Sequence, residues 1–207
     1  MDARVVDLSH YQTVKDFHAV AGAGVWGIIH KATQGTTYVD DHYASARIGA
    51  ASAGLLWGAY HFNTGQPVAD QLKYFIDHAK PDDKTLMVLD YEDNRQSNMN
   101  IHQVVEFLHL LEQQLGRKGA IYSGNRVKET IGGLSAADKA YLCSHRLWIC
   151  QYGPRAVLPQ GWSKWWLWQF TGDKIGPQPH SIPGIPGTGL DINTFVGTRE
   201  ELAGSWA

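Results

Sequence analysis

The chain reads as an α/β protein, a β/α barrel with an irregular final third, and three observations point there. Short apolar runs alternate with amphipathic stretches of helical period from Val5 to about Leu142. The run Leu86-Met87-Val88-Leu89 is apolar throughout, as a strand covered on both faces must be. Beyond Leu142 the alternation stops, and further strand-like runs follow without full helices between them. At 207 residues the chain has the size of one large domain and can bury a substantial core.

Taken in order, Val5-Val6-Asp7-Leu8 predicts a strand. Thr13-Val14-Lys15-Asp16 has the pattern of a capping box and predicts a helix opening there and running through Val20. Val25 to His30 is a second strand, Asp40 to Ala53 a helix stopped by Gly54, and Leu56 to Phe62 a third strand. A helix over Val68 to Ala79 turns Leu72, Phe75 and Ile76 inward, and Leu86 to Asp90 is the next strand. Ile101, Val104, Val105, Leu108, Leu111 and Leu115 keep a 3.6-residue period, Asn100 and Gln103 can cap that helix, and Gly116 can close it. Ala120 to Tyr122 is a fifth strand, followed by short helical pieces. Leu147 to Tyr152, Trp165 to Thr171 and Leu190 to Phe195 are the last strands. Residues 172–189 hold five Gly and four Pro, which predicts a long loop, and a short helical tail ends the chain.

Composition removes several function classes. Charged residues are 18% of the chain against a usual share of about 25%, and hydrophobic residues 43%, which excludes a solvated, disordered chain. Eighteen Lys and Arg against twenty Asp and Glu, with no basic cluster, argue against a nucleic-acid surface, whose affinity rests on neutralising phosphates. No apolar run approaches the ~20 residues of a membrane span. No signal peptide is visible in the opening Met1-Asp2-Ala3-Arg4-Val5-Val6. Cys143 and Cys150 lack the spacing of a redox or zinc motif and read as free thiols, with one bridge as the alternative. Gly22-Ala23-Gly24-Val25-Trp26-Gly27 matches a dinucleotide fingerprint, but it follows a helix and opens a strand, the reverse of the required order. The His residues are too scattered for a zinc site.

The informative segment is Leu89-Asp90-Tyr91-Glu92-Asp93. Residues i and i+2 on a strand face the same way, about 6.6 Å apart, so Asp90 and Glu92 present paired carboxylates where a buried strand ends. In β/α barrels that end carries the active site. Glycosidic cleavage needs such a pair, one carboxyl protonated to release the leaving oxygen and one ionised to stabilise the anomeric carbon. Solvated strand-end acids, or half of a magnesium or calcium site, are the plainer readings. Asp7 and Asp191 occupy equivalent strand ends, and a closed barrel makes its first and last strands neighbours. His61 ends a strand on the same face as the other strand-end groups, which places it near the pocket, with a hydrogen-bonded structural His as the plainer reading. Eight Trp are present, and on a strand Trp166 and Trp168 would share one face while Trp165 and Gln169 share the other. Trp faces can stack on a pyranose ring, although core packing is the commoner use.

These residues, with their neighbours, resemble a known family. Asp7-Leu8-Ser9-His10-Tyr11-Gln12, Lys31-Ala32-Thr33-Gln34-Gly35, Gly58-Ala59-Tyr60-His61-Phe62, Leu89-Asp90-Tyr91-Glu92, Ile121-Tyr122-Ser123-Gly124, Leu147-Trp148 and Leu190-Asp191-Ile192-Asn193 are similar, in order and spacing, to the glycoside hydrolase family 25 lysozymes (Chalaropsis-type muramidases). The resemblance runs from about residue 5 to 196. It implies a modified TIM-like (β/α)5(β)3 barrel and hydrolysis of the β-1,4 bond from N-acetylmuramic acid to N-acetylglucosamine in peptidoglycan, with retention. Glu92 matches the family's general acid. Asp90 matches its partner, either a nucleophile or the group that orients the substrate's 2-acetamido for internal attack. Asp7 and Asp191 match the supporting acids. Tyr60, His61, Phe62, Tyr122, Gln151, Trp166 and Gln169 are the expected substrate-binding residues. No cofactor and no metal are implied. Gln34 departs from the family, which has Glu there, so an ionic contact at that point is replaced by a neutral one.

The resulting expectation is one catalytic domain over residues 1–207, without a separate wall-binding domain. It should act as a monomer on peptidoglycan glycan strands, bind no nucleic acid and insert in no membrane. Its place of action would be the cell wall, reached by secretion or phage release. A chitinase- or glucosaminidase-like hydrolase of N-acetylated glycans is the alternative enzyme. It is disfavoured because Val88 and Met87 stand where substrate-assisted chitinases extend their acidic motif. A non-catalytic glycan-binding barrel is the alternative outside enzymes, and such proteins typically lose the acid that Glu92 supplies.

Overall fold

The computed structural model describes residues 1–94 and 97–207. Strands β1 (Val5–Leu8), β2 (Gly27–Gln34), β4 (Leu56–Phe62), β5 (Leu86–Asp90), β6 (Ala120–Ser123), β7 (Arg146–Cys150), β8 (Leu167–Thr171) and β9 (Asp191–Thr194) form a closed barrel, because β1 pairs with both β2 and β9. A short β3 (Tyr38–Val39) hangs on the end of β2. The pairings from β1 through β8 are parallel, whereas β9 runs antiparallel to β8 and β1. Helices α1 (Phe17–Gly22), α2 (Tyr43–Ser52), α3 (Val68–Ala79) and α4 (Ile101–Leu115) link the first strands, and α5 (Asn125–Thr130) and α6 (Ala136–Cys143) precede β7. β8 and β9 follow with no intervening helix, and α7 (Arg199–Gly204) ends the chain. This is the expected (β/α)5(β)3 barrel.

Strand alternation divides the core in two. Val5, Ile29, Leu86, Val88, Ala120, Trp148 and Leu167 point into the barrel, and Leu202 and Trp206 plug its lower end. Val6, Ile28, Met87, Leu89, Ile121 and Ile149 point outward against the helices. The plug demands a glycine above it, since a Cβ at Gly27 would lie 2.8 Å from Cη2 of Trp206. The period of two carries past the hydrophobic layers. Asp7 continues the inward face of Val5, Asp90 that of Leu86 and Val88, and Gln169 that of Leu167.

The α3 and α4 helices and the β4 and β5 strands have the expected bounds, and α4 carries the Asn100–Gln103 capping box and a left-handed Gly116. Elsewhere tertiary contacts shift the ends. The first helix starts at Phe17 with Asp16, not Thr13, as its cap. The amides of Lys15 and Asp16 donate to the carbonyl of Gly184, which holds that segment against the 172–189 loop. The second helix starts at Tyr43 rather than Asp40, because the Asp40 carboxylate accepts from the amides of His10 (2.8 Å) and His42 (3.1 Å). β2 runs on to Gln34, where Gly35 (φ 56°) turns the chain back into β3, a strand with no expectation behind it. The last three strands are each shorter than expected. Cys143 and Cys150 are unbridged.

Candidate active site

A cavity of about 80 Å³ opens where β5 ends, lined by Asp7, Tyr60, Asp90, Glu92, Tyr122, Trp148, Gln169 and Asp191. Asp7 and Asp191 face each other across the β1–β9 pair. An adjoining groove of about 360 Å³ is lined by Glu92, Asp93, Gly124, Asn125, Arg126, Cys150, Gln151 and Tyr152. Glu92 is the only acid shared by the two hollows.

The Asp90–Glu92 segment is held from both sides. Tyr91 is fully buried in the outer layer, its amide donates to Tyr122 O (2.9 Å), and Ser123 Oγ donates to Tyr91 O (2.6 Å). With Tyr91 turned outward, Asp90 and Glu92 are turned in. Asn63 at the end of β4 secures the same backbone, its Nδ2 donating to the carbonyls of Asp90 (3.0 Å) and Glu92 (2.9 Å). Met99 N in turn donates to Asn63 Oδ1 (3.0 Å), so this buried amide is satisfied on both ends.

Asp7 sits at the centre of a hydrogen-bond network. Gln169 Nε2 donates to both its oxygens at 3.0 Å and Asn193 Nδ2 to one at 2.7 Å. Tyr122 Oη donates to Gln169 Oε1 (2.9 Å), and Trp148 Nε1 donates to Asn193 Oδ1. Asp191 accepts a longer bond from Tyr152 Oη (3.3 Å). A Cβ at Gly172 would collide with both Asp191 Oδ1 and Tyr152 Oη, so that glycine keeps space for the pair. Asp90 is buried, and its Oδ1 has no hydrogen-bond partner among the described residues.

Burial and mutual repulsion raise the pKa of all these acids. Desolvation, then Asp191, pushes Glu92 up to about 7. Desolvation, then Asp173, pushes Asp191 up to about 6. Asp90 is raised by desolvation and then by Glu92, and Asp7 by desolvation and then by Asp191. The cluster therefore retains protons near neutral pH and titrates as a unit. Such a site can hold one acid protonated beside an ionised neighbour, the requirement of acid-assisted bond cleavage.

Lys31 supplies the opposing charge. It is 9% exposed, and its Nζ lies 4.8 Å from the Phe62 ring centroid and 5.2 Å from that of Tyr38. Its Nζ donates to Gln34 Oε1 at 2.7 Å, the neutral contact expected at this position. Burial lowers the Lys31 pKa, and the charges of Asp90, Asp40 and Glu92 raise it. Reciprocally, Lys31 lowers the pKa of Asp90 and Glu92. Gln34→Glu would neutralise this cation locally and weaken that pull. The expected result is a pH–kcat/KM profile displaced upward by some tenths of a pH unit, with the melting temperature little changed. A downward displacement would contradict the electrostatic role of Lys31.

The structure gathers Asp7, Asp90, Glu92, Asp191, Tyr60, Tyr122 and Gln169 on one cavity. Gln151 lines the adjoining groove, with Oε1 accepting from Lys128 Nζ (2.8 Å) and Val157 N (2.9 Å). Phe62 lies beside Asp90 across the β4–β5 pair and packs under Lys31, outside the cavity wall. His61 is a correction. Its position on β4 turns it out of the barrel, fully buried between Phe75 and Phe107, with Thr33 Oγ1 at 2.8 Å from Nδ1 and Gln71 Oε1 at 3.2 Å from Nε2. Trp166 is another. It precedes β8 at the lower end of the barrel and packs on Trp206, and it does not share a face with Trp168, which belongs to the outer layer. Trp148, Tyr152, Asn193, Lys31 and Gly172 join the site without a sequence expectation for that role. For Trp148 and Tyr152 the period of two along Trp148-Ile149-Cys150-Gln151-Tyr152 was the available signal. Among the described residues, no group of three or more His, Cys, Asp or Glu is placed to hold a metal ion.

The profile of the family described as glycosyl hydrolases family 25 matches residues 6–178. Lysozyme M1 of Streptomyces globisporus is 28% identical over 218 residues, which cover 95% of this chain and 69% of that protein. The structure of a bacterial lysozyme from Streptomyces coelicolor has a TM-score of 0.86 at 25% identity, covering 100% of this chain and 97% of that one. A muramidase from Trichobolus zukalii has a TM-score of 0.81 at 26% identity, covering 97% of each chain.

Proposed function

The chain belongs to glycosyl hydrolases family 25, and on that premise we propose that it is a peptidoglycan muramidase. It cuts the β-1,4 bond between N-acetylmuramic acid and N-acetylglucosamine with net retention. The observation that supports this reading best is the convergence of Asp7, Asp90, Glu92 and Asp191 on one cavity, with Glu92 shared by the adjoining groove. A glycan crossing from groove to cavity would pass its scissile oxygen beside Glu92.

In this reading Glu92 is the general acid. Its raised pKa keeps a proton available at neutral pH, and that proton goes to the leaving oxygen as the glycosidic bond breaks. Asp90, on the same face and nearer the barrel interior, stabilises the anomeric carbon. It does so either by attacking it directly or by orienting the substrate's own 2-acetamido oxygen for that attack. Paired positions on one strand suit the ~5–5.5 Å carboxyl separation of retaining enzymes better than the wider spacing of inverting ones. Glu92, ionised by the first step, then takes a proton from the water that releases the product. Asp7 and Asp191 place further carboxyl oxygens beneath the developing cation, and Asp7 is fixed by Gln169 and Asn193. The partners are glycan strands of the bacterial wall, reached from outside the producing cell or after phage release. No helix among the described residues is long and apolar enough to cross a membrane.

Analysis of the reducing ends tests the bond. Borohydride reduction of a digest of purified sacculi should give muramitol, and glucosaminitol in its place would identify a glucosaminidase. Proton NMR of the first products should show the β-anomer before mutarotation, whereas initial α-anomer would exclude retention.

A further inference from the structure

A hollow more spacious than the cavity and groove beside the acids lies at the other end of the barrel. It measures about 770 Å³ and lies among the residues before β7, those before β8 and those after β9. β7 and β8 each rise for five residues, so this hollow is separated from the acids by about 16 Å of barrel. Its wall contains Trp165 and Trp166, both half-buried, together with Trp162, Phe195, Arg146 and Lys164. The Trp-rich run that has no place at the acidic site is therefore used here.

The rings are held in place. Trp166 packs at 5.7 Å on Trp206 and its Nε1 donates to Ser205 Oγ (3.0 Å), while Trp165 packs at 5.8 Å on Trp168. Trp162 Nε1 donates to His145 O (3.1 Å). Arg146 lies 5.5 Å from the Trp166 ring centroid, with its guanidinium donating to the carbonyls of Ser205 and Lys118. Neither Arg146 nor Lys164 has an acidic partner among the described residues. The acid on this wall, Glu201, is engaged in capping α7 through Thr198 N. Fixed, partly exposed indoles beside the exposed Lys164 and a guanidinium with no acidic partner suit a ligand with flat apolar sugar faces and carboxylates.

We propose that this hollow is a second glycan-binding site, which takes an N-acetylated, carboxylate-bearing stretch of peptidoglycan away from the point of cleavage. The proposal rests on the muramidase reading for its choice of glycan. Binding at both ends would keep the enzyme on an insoluble wall between cuts, since the second contact becomes intramolecular once the first is made.

The test compares wild-type protein with Trp165→Ala and, as a surface change that leaves the packing alone, Lys164→Glu. Each is assayed on a short soluble peptidoglycan oligomer and on insoluble sacculi, and sedimentation with sacculi is measured in a Glu92→Gln background. Both variants should cut the soluble oligomer at the wild-type rate yet bind sacculi about fivefold more weakly, with activity on sacculi reduced in step. Wild-type retention on sacculi in both variants would overturn the second site, as would equal losses on soluble and insoluble substrates. A wild-type protein that releases no reducing ends from sacculi would instead overturn the muramidase reading on which the choice of ligand depends.

Discussion

Glu92→Gln is expected to lower kcat/KM on purified peptidoglycan by about 10²–10⁴-fold, the usual contribution of a positioned general acid. Gln has nearly the same shape and can keep the contacts of the side chain, but it has no proton to give to the leaving oxygen. The fold should not suffer. A carboxyl raised to about 7 by burial binds its proton more tightly in the folded than in the unfolded state. Its contribution to stability is therefore present at low pH and is lost as pH rises from the usual carboxylate range through about 7. Gln removes that loss, so at neutral pH the variant should melt at or above the wild-type temperature. In the wild type, kcat/KM should fall as pH rises through about 7, because the protonated form of Glu92 is the active one. Near-normal lysis by Glu92→Gln, or a rate that climbs through pH 9, would remove Glu92 from the acid role.

The second large effect is expected of Asp90→Asn. Asp90 is 4% exposed, its Oδ1 is unpartnered among the described residues, and burial and Glu92 both disfavour its charge. A carboxylate kept there at such cost serves the reaction rather than the fold. Removing its charge should reduce kcat by about 10²-fold or more while KM changes little, as when stabilisation specific to the transition state is lost. The variant should also be more stable at neutral pH, since a buried charge has been deleted, and each kcal/mol gained would raise Tm by about 2–4 °C. Differential scanning calorimetry at pH 7 and at pH 4 separates the two contributions. The gain should shrink at the lower pH, where the wild-type carboxyl is protonated as well. An Asp90→Asn protein that keeps its activity, or that unfolds more readily at pH 7 than wild type, would show that the charge serves the structure.

The two variants probe the part of the site that was most legible in the chain. Asp90 and Glu92 are two residues apart where a short, doubly buried strand ends, so their shared face follows from the local geometry of a strand. Asp7 and Asp191 required one further step, barrel closure, and the β1–β9 pairing places them opposite each other. The binding residues were harder to place because strand ends are less regular than strand middles. His61 is one residue from Tyr60, and that single step carries it from the barrel interior to a cage between Phe75 and Phe107. Trp166 precedes its strand, so alternation along β8 does not govern it. The early start assigned to the first helix failed for a similar reason. Thr13 has the chemistry of a cap, but the loop around Gly184 claims the amides of Lys15 and Asp16.

Local patterning by itself determined the α/β class, the order of the barrel strands and the main helices, and the pairing of Asp90 with Glu92. These depend on periods of two and 3.6 residues and on caps within a few positions, which neighbouring residues specify. Only the tertiary structure decided which groups line the cavity and that Gln169 and Asn193 hold Asp7. It also decided that the Trp-rich run lies at the end of the barrel opposite the acids. Those outcomes depend on contacts between segments as many as 186 residues apart in the chain, from Asn193 to Asp7. Closure of the sheet brings such segments together, and no local period encodes it.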